Sequence, residues 1–406
     1  MIYSDFRGAK ISRLGFGTMR LPMKENKQID FEAGCEMIDY AITRGINYFD
    51  TAYRYHEGQA EFFVRDALSK RYPREKFFLA DKMPVWFCKE EADAPKIFEE
   101  QLSNCGVEYF DFYLLHSISE GEWPSTVKNK VCEYLKSQKD AGRIKHLGMS
   151  VHCQPTLLRE ILEQYGDILE FVQIQMNYMD WDYINAKELH QILLDFDKAI
   201  IIMEPLRGGM LASPASPQAR EILDRAAVSK DGTVSMDAAA CAKSMDAAVS
   251  KDGRKLSYAD FALGYVNQLP NVVVTLSGMS TLEQVKENIE FFNDPALTDD
   301  QLKAVQDAGK ALGKEILIPC TGCNYCYDCP AEIKIPRIFK GYNEASMKGF
   351  HYIWGSLSGI YKGLGPNADD CLQCGACESV CPQNIDIIEK LKEIHQKYQE
   401  LEKIGE

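Results

Sequence analysis

Short apolar runs recur along the first three-quarters of the chain. Each is followed by a longer segment whose apolar residues return every three to four positions. The runs are Leu14–Thr18, Ile46–Asp50, Phe77–Lys82, Phe112–His116, His146–Ser150, Phe171–Gln175, Ala199–Glu204 and Val272–Leu276. Helix signals lie between them. Pro155 opens a segment with Leu157, Leu158, Ile161 and Leu162 on one face, and Gly166 closes it. Ser257-x-x-Asp260, Thr281-x-x-Gln284 and Thr298-x-x-Gln301 each resemble a capping box ahead of a periodic segment. Eight strand–helix units predict an α/β fold, a (β/α)8 TIM barrel over residues 1–312. The alternative is an open doubly wound sheet. Against it, the first strand lacks a G-x-G-x-x-G turn, and Gly15-Phe16-Gly17 lies inside the strand. Met1–Ser12 reads as a hairpin closing the barrel floor.

One stretch breaks the rhythm. Ala-Ala-Val-Ser-Lys-Asp-Gly occurs at 226–232 and again at 247–253, and Ser-Met-Asp-Ala-Ala at 235–239 and 244–248. This short duplication reads as a surface insertion, with a lid over the barrel mouth as the functional alternative. The net charge of −14, without a Lys/Arg block, argues against nucleic acid or an anionic membrane as partner. No basic n-region with an apolar stretch opens the chain, and no run of eighteen apolar residues occurs. A reducing cytoplasm is the expected compartment.

Eight of the fourteen cysteines fall in the last ninety residues. Cys320, Cys323, Cys326 and Cys329 form one run, and Cys371, Cys374, Cys377 and Cys381 the other, each followed by proline. The second has the C-x2-C-x2-C-x3-C-P spacing that binds iron–sulfur clusters in bacterial ferredoxins. Residues 313–406 thus read as a small ferredoxin-like domain with two 4Fe-4S clusters whose fourth ligands are exchanged. Cys381 joins Cys320, Cys323 and Cys326, and Cys329 joins Cys371, Cys374 and Cys377. The first run has two residues rather than three before its last cysteine. One cluster on the second run, with zinc on the first, is therefore the alternative. The segment Gly341–Asn367, rich in Gly and aromatics, reads as an insertion packing on the barrel rim. Cysteines 35, 88, 105, 132, 153 and 241 read as reduced core residues.

Barrels of this class place chemistry at the C-terminal ends of strands. Those ends carry Asp50, Lys82 and His116, with Tyr55 just beyond Asp50. A Tyr gives up a proton more readily beside an ammonium, an Asp holds that Lys, and a His polarises a carbonyl.

With these residues the chain resembles the aldo/keto reductase family: Gly45-Ile46-Asn47-Tyr48-Phe49-Asp50-Thr51-Ala52-x-x-Tyr55, then Lys82, then Leu114-Leu115-His116. The resemblance covers about residues 10–312 and, with the tail, points to a branch carrying a C-terminal ferredoxin-like domain. It implies Tyr55 as general acid, Lys82 and Asp50 as its tuning pair and His116 as carbonyl orienter. It implies an NAD(P)H cofactor across the barrel mouth. Ser150 and Gln173 match the carboxamide positions, and Glu204, Pro205 and Leu206 the loop beside the phosphates. Ser277 to Ser280 (Gly278 included), Gln284 and Asn288 match the adenosine end. Gly278 and Gln284 stand where NADPH-preferring members commonly carry Lys and Arg. NADH is therefore expected to bind comparably or better, unless Arg207 or a basic residue of the insertion reaches the phosphate. Val151 replaces the family's frequent Asn, and Met203 a ring that stacks on nicotinamide.

The expected function is hydride transfer between a nicotinamide cofactor and a small carbonyl or alcohol, with clusters that carry electrons or hold structure. One alternative is an electron-transfer protein coupling a barrel-bound two-electron cofactor, such as flavin, to a one-electron redox partner protein. The other is a non-catalytic cofactor-sensing barrel, against which the intact tetrad argues.

Overall fold

A computed structural model describes residues 1–214, 216–226, 256–348 and 365–405. The duplicated insertion lies outside the described residues, apart from Ala226.

All eight expected strands form. A hairpin of β1 (Tyr3–Phe6) and β2 (Ala9–Ser12) precedes β3 (Leu14–Gly17), β4 (Tyr48–Asp50), β5 (Phe78–Met83), β6 (Phe110–Ile118) and β7 (Ile144–Val151). Next come β8 (Phe171–Gln175), β9 (Ala199–Met203) and β10 (Val272–Ser277). Strands β3 to β10 close into a barrel in chain order, with β10 beside β3. Every barrel neighbour is parallel. Closure excludes the open sheet. It also explains why the strands were legible: buried on both faces, they are continuous apolar runs, as in Ala-Ile-Ile-Ile-Met of β9.

The hairpin seals one end. Its Phe6 and Ile11 join Tyr48, Ala80, Phe112, Phe171, Ile201 and Val274 in one buried cluster. Burying side chains of this size contributes about 1.5–3 kcal/mol each. Gly15 is required where β3 meets β10, because a Cβ there would lie 2.7 Å from both Leu276 Cδ2 and Val274 Cγ1. Two strands end earlier than their apolar runs. Thr18 starts a short turn, Thr18–Arg20, and Glu204 takes a left-handed conformation (φ 55°) that turns the chain out of β9.

The chain divides into two compact units that do not follow chain order. The first comprises Met1–Asn177, Ile184–Pro205 and Leu263–Ala296; the second Tyr178–Tyr183, Leu206–Ala262 and Leu297–Glu406. Helix Asp299–Glu315 thus groups with the second unit, packing on helix Pro217–Ala226. Its capping box is formed in full by Thr298 and Gln301.

In the second unit, Ile318, Ile333, Phe339, Tyr342, Leu391 and Ile394 belong to a buried cluster against which six of the tail cysteines pack. For Gly341–Lys348, this corrects the reading of Gly341–Asn367 as an insertion separate from the ferredoxin-like part. Its first residues continue helix Ile335–Lys348, whose Tyr342 is in that core. The buried Asn343 side chain accepts from the Leu317 and Ile318 amides and donates to the Ile318 carbonyl. The Gly and aromatic content obscured a plain amphipathic helix. Residues 349–364 lie outside the described residues. Among the described residues no helix is long and apolar enough to cross a membrane.

Candidate active site and cysteine centres

Neighbouring strands β4, β5 and β6 bring Asp50, Lys82 and His116 to one end of the barrel, and Tyr55 follows on the turn after β4. Lys82 is wholly buried and Asp50 nearly so. The Lys82 ammonium donates to Asp50 Oδ1 at 2.6 Å, to the Thr51 carbonyl at 2.7 Å and to the Tyr55 hydroxyl at 3.5 Å. Burial raises the Asp50 pKa, with Lys82 pulling the other way. Burial, then Lys82 and His152, holds His116 well below the ordinary histidine range, so the imidazole is neutral at pH 7. The Trp86 ring lies 5.0 Å from that of His116, and the Tyr55 ring 6.1 Å. Trp86 was missed in the sequence; the available signal was an aromatic residue just past a strand end.

Behind Lys82 sits a second buried network. Asp81 points to the opposite face of β5 and meets Glu61 and Cys105. Gln101 donates to Glu61 at 2.9 Å and to the Lys82 carbonyl at 3.0 Å, and accepts from Tyr113. Asn104 donates to the other Glu61 oxygen. Asp81 Oδ1 accepts from the Lys82 amide. Glu61, Asp81 and Cys105 lie close enough to hold a metal. The amides that already satisfy Glu61 speak against one. Burial raises both carboxyl pKa values, and the Glu61 charge adds to the rise at Asp81.

The expected cofactor residues gather in two places. Ser150 and Gln173 are register partners on β7 and β8. Ser150 Oγ accepts from the Ser117 amide at 2.8 Å. Gln173 Nε2 points at Met203 Sδ, 3.6 Å away, while its buried Oε1 has no hydrogen-bond partner. An orphaned acceptor there fits a carboxamide N–H donor. In the second place, Asn288 donates to Ser277 Oγ at 2.9 Å, and Gln284 Oε1 accepts from the Ser280 amide at 2.8 Å. Gln284 therefore folds back on the start of its own helix, and Thr281 receives only its backbone N–H. Glu204 lies 3.6 Å from Arg20. Leu206 falls in the second unit. Lys286, two residues past Gln284, faces the Tyr40 ring. Arg207 is not available to a phosphate. It is fully buried, pairs with Asp180 at 3.0 Å and donates to the Pro319 carbonyl at 3.2 Å.

The two cysteine runs fold alike. Gly322 and Asn324 flank Cys323 in the left-handed region, as Gln373 and Gly375 flank Cys374. This turns the Gly322 amide to Cys320 Sγ and the Gln373 amide to Cys371 Sγ, both at 3.4 Å. Glu332 and Asn384, each three residues past the last cysteine of a run, are left-handed too. The sequence carries this repeat as Cys-Pro-x-x-Ile-x-Ile at 329–335 and 381–387, a signal not used above. The Cys326 thiol is surrounded by Cys320, Cys323 and Cys381, and that of Cys377 faces Cys371 and Cys329. The described cysteines are free of disulfides.

The model for the aldo/keto reductase family matches residues 13–310, most of the chain. The chain belongs to this family. A 4Fe-4S dicluster domain matches residues 319–385. Among curated relatives, an uncharacterized oxidoreductase of Bacillus subtilis is 26% identical over 312 residues, covering 74% of this chain and 93% of its own. An NADH-specific methylglyoxal reductase of Escherichia coli is 24% identical, covering 74% and 96%. An aldo-keto reductase from Bacillus halodurans, in its holo form, matches in structure with a TM-score of 0.57 at 22% identity, over 74% of this chain and 93% of its own. One from Klebsiella pneumoniae, in complex with NADPH, matches with a TM-score of 0.57 at 19% identity, over 76% and 95%. The protein is thus an NAD(P)H-dependent oxidoreductase of carbonyl and alcohol groups with a C-terminal 4Fe-4S dicluster domain. The electron-carrier and sensor alternatives are not favoured.

Proposed function

We propose that Tyr55 is the general acid of carbonyl reduction, Lys82 and Asp50 the pair that tunes it, and His116 the orienter of the substrate oxygen. The observation that carries this reading is one ammonium, sealed from water, that touches Asp50, the Thr51 carbonyl and the Tyr55 hydroxyl together. Lys82 stabilises the negative charge that develops on the Tyr55 oxygen as its proton moves to the nascent alkoxide. Asp50 balances the buried ammonium in both directions of the reaction. A neutral His116 donates one N–H to the carbonyl oxygen without competing for the proton. Trp86 shields that face from water.

When bound, the nicotinamide would supply or accept hydride, and the clusters would carry single electrons or hold the fold of the tail. Ser150 and Gln173 would hold the carboxamide. Ser277, Gly278, Ser280, Gln284 and Asn288 would hold the adenosine end, with Glu204 beside the phosphates. With Gln284 folded back on its own helix, no bidentate cation comes from that helix to a 2′-phosphate. NADH binding comparably to NADPH, or better, follows. In the second unit, two 4Fe-4S clusters with exchanged fourth ligands would use Cys320, Cys323, Cys326 and Cys381, and Cys371, Cys374, Cys377 and Cys329.

The test is anaerobic protein assayed with small aldehydes and both reduced cofactors. About eight irons and eight acid-labile sulfides per chain are expected. Bound zinc without sulfide overturns the cluster assignment. NADPH binding a hundredfold tighter than NADH overturns the cofactor preference. A cluster band that bleaches on adding NADH assigns the clusters to electron transfer with a protein partner, and a flavin band names the mediator. An unchanged spectrum assigns them to structure.

A further inference from the structure

Lys82 stands just beyond the point where a neighbouring strand leaves the barrel. Strand β4 pairs with β5 only as far as Asp50 opposite Ala80, and the Thr51 amide donates to the Ala80 carbonyl at 3.0 Å. Main-chain groups two residues apart on a strand point to the same side. The N–H and C=O of Lys82 therefore face the side that β4 has left. Side chains take them instead. Asp81 Oδ1 accepts from the Lys82 amide at 2.8 Å, and Gln101 Nε2 donates to the Lys82 carbonyl at 3.0 Å.

This substitute for a strand is itself held in place. The two N–H groups of Gln101 Nε2 meet two acceptors, the Lys82 carbonyl and Glu61 Oε1, while Gln101 Oε1 accepts from Tyr113. A flipped amide would set its oxygen against both acceptors, so one orientation is fixed. Glu61 lies on helix Gln59–Val64, which follows directly on the turn Tyr55–Gly58 that carries Tyr55. Cys105, one turn beyond Gln101 on helix Asp93–Cys105, donates to Asp81 Oδ2 at 3.5 Å. Glu61, Asp81 and Gln101 are all buried, so bulk water does not replace a bond lost here. The network thus ties the main chain of Lys82 to the helix that follows Tyr55. An ammonium on a flexible stem keeps its place only where its root is fixed. Its contact to the Tyr55 hydroxyl is the longest of its three.

We infer that Glu61, Asp81 and Gln101 are positioning residues for proton transfer: they stand in for a strand at Lys82 and hold its ammonium at the Tyr55 hydroxyl. This rests on Lys82 tuning Tyr55 as proposed above. Full-length anaerobic wild type, Tyr55→Phe, Gln101→Leu, Glu61→Ala and Glu61→Gln are assayed for reduction of a small aldehyde by NADH across pH. Gln101→Leu lowers kcat about ten- to a hundredfold, as a misplacement of about 1 Å does, while KM and NADH affinity hold. Glu61→Ala loses rate in the same way, and Glu61→Gln, which still accepts from Gln101, recovers most of it. The alkaline limb of kcat, where Tyr55 loses its proton, moves to higher pH in Gln101→Leu because the ammonium has moved off. Gln101 is uncharged. The titratable groups around Lys82 all remain: Asp50 from β4, Tyr55 from its turn, Asp81 on β5, His116 from β6, and Glu61 and Cys105 from the helices behind Asp81. The shift therefore reports position. An active wild type, an impaired Tyr55→Phe and a folded Gln101→Leu with kcat within twofold of wild type overturn this inference alone. A rate loss with the limb unmoved assigns the network to stability and overturns it too. Should Gln101→Leu fail to fold, the double variant Gln101→Leu, Glu61→Leu removes both polar partners at once, a change that costs little stability. It shows the same rate loss and limb shift, and kcat within twofold of wild type overturns the inference. Wild type that reduces no aldehyde, or Tyr55→Phe with unchanged turnover, overturns the underlying reading and this inference with it.

Discussion

The barrel end and the cysteine loops organise their functional groups in opposite ways. In the barrel, the reactive side chains hold one another. Lys82 has three partners and no water, and its backbone is fixed by Asp81 and Gln101. In the second unit, backbone amides turn toward the cysteines, as Gly322 N–H does to Cys320 Sγ and Gln373 N–H to Cys371 Sγ. Their loops are shaped by left-handed residues at Gly322, Asn324, Gln373 and Gly375 over an apolar floor, and the thiols converge with like groups. Deprotonated thiolates so placed repel, and a metal centre resolves the repulsion. A preorganised polar site costs stability when one member is lost. A site built around a metal costs stability when the metal is lost.

The sharpest way to break the comparison is at Lys82. Lys82→Met leaves Asp50 buried without its cation. It should abolish turnover and lower the barrel's stability by about 3–5 kcal/mol, read from the urea midpoint. Adding Asp50→Asn should restore most of the stability and none of the rate. A single-variant loss under about 1 kcal/mol would mean the strand ends do not support each other as described.

Tyr55→Phe removes the proton donor and keeps the ring against His116. Carbonyl reduction should fall at least a hundredfold, with NADH affinity held. Unchanged turnover removes Tyr55 from the mechanism.

On the other side, Cys381→Ala should lower iron from about eight to about four per chain, since one site keeps all four of its ligands. Anaerobic chelation should melt the helices Ile335–Lys348 and Ile387–Gly405 beside the cysteine runs while the barrel's urea midpoint stays in place. A midpoint that moves with chelation would erase the distinction between the two regions.

The smallest effect concerns pH. The folded-state pKa of His116 lies well below its unfolded value near 6.5, so the unfolded chain binds the extra proton first. The contribution of neutral His116 is whole above pH 6.5 and is lost as pH falls toward the folded pKa. His116→Gln should flatten that acid limb of the stability profile. An unchanged limb would assign the slope to other groups.

Much of this molecule was legible in residue order because local rules set it. Strands buried on both faces must be apolar throughout, so the runs ending at Asp50, Lys82 and His116 announced both the barrel and its reactive rim. Three thiols of one cluster come from one short loop, so the spacing from Cys371 to Cys381 announced the metal centre. What periodicity reports is that a face is buried, not what buries it. Closure alone put β3 beside β10 and so laid Arg20 over Gly278. Only helix packing brought Gln101 to the Lys82 carbonyl, and only the pairing of β5 with β6 brought Trp86 to His116. Arg207 looked like a free cation until Asp180 and Pro319 enclosed it, and Gly341–Lys348 looked like an insertion until Tyr342 entered the core. Each of these was decided by partners distant in the chain, where neither spacing nor composition carries information.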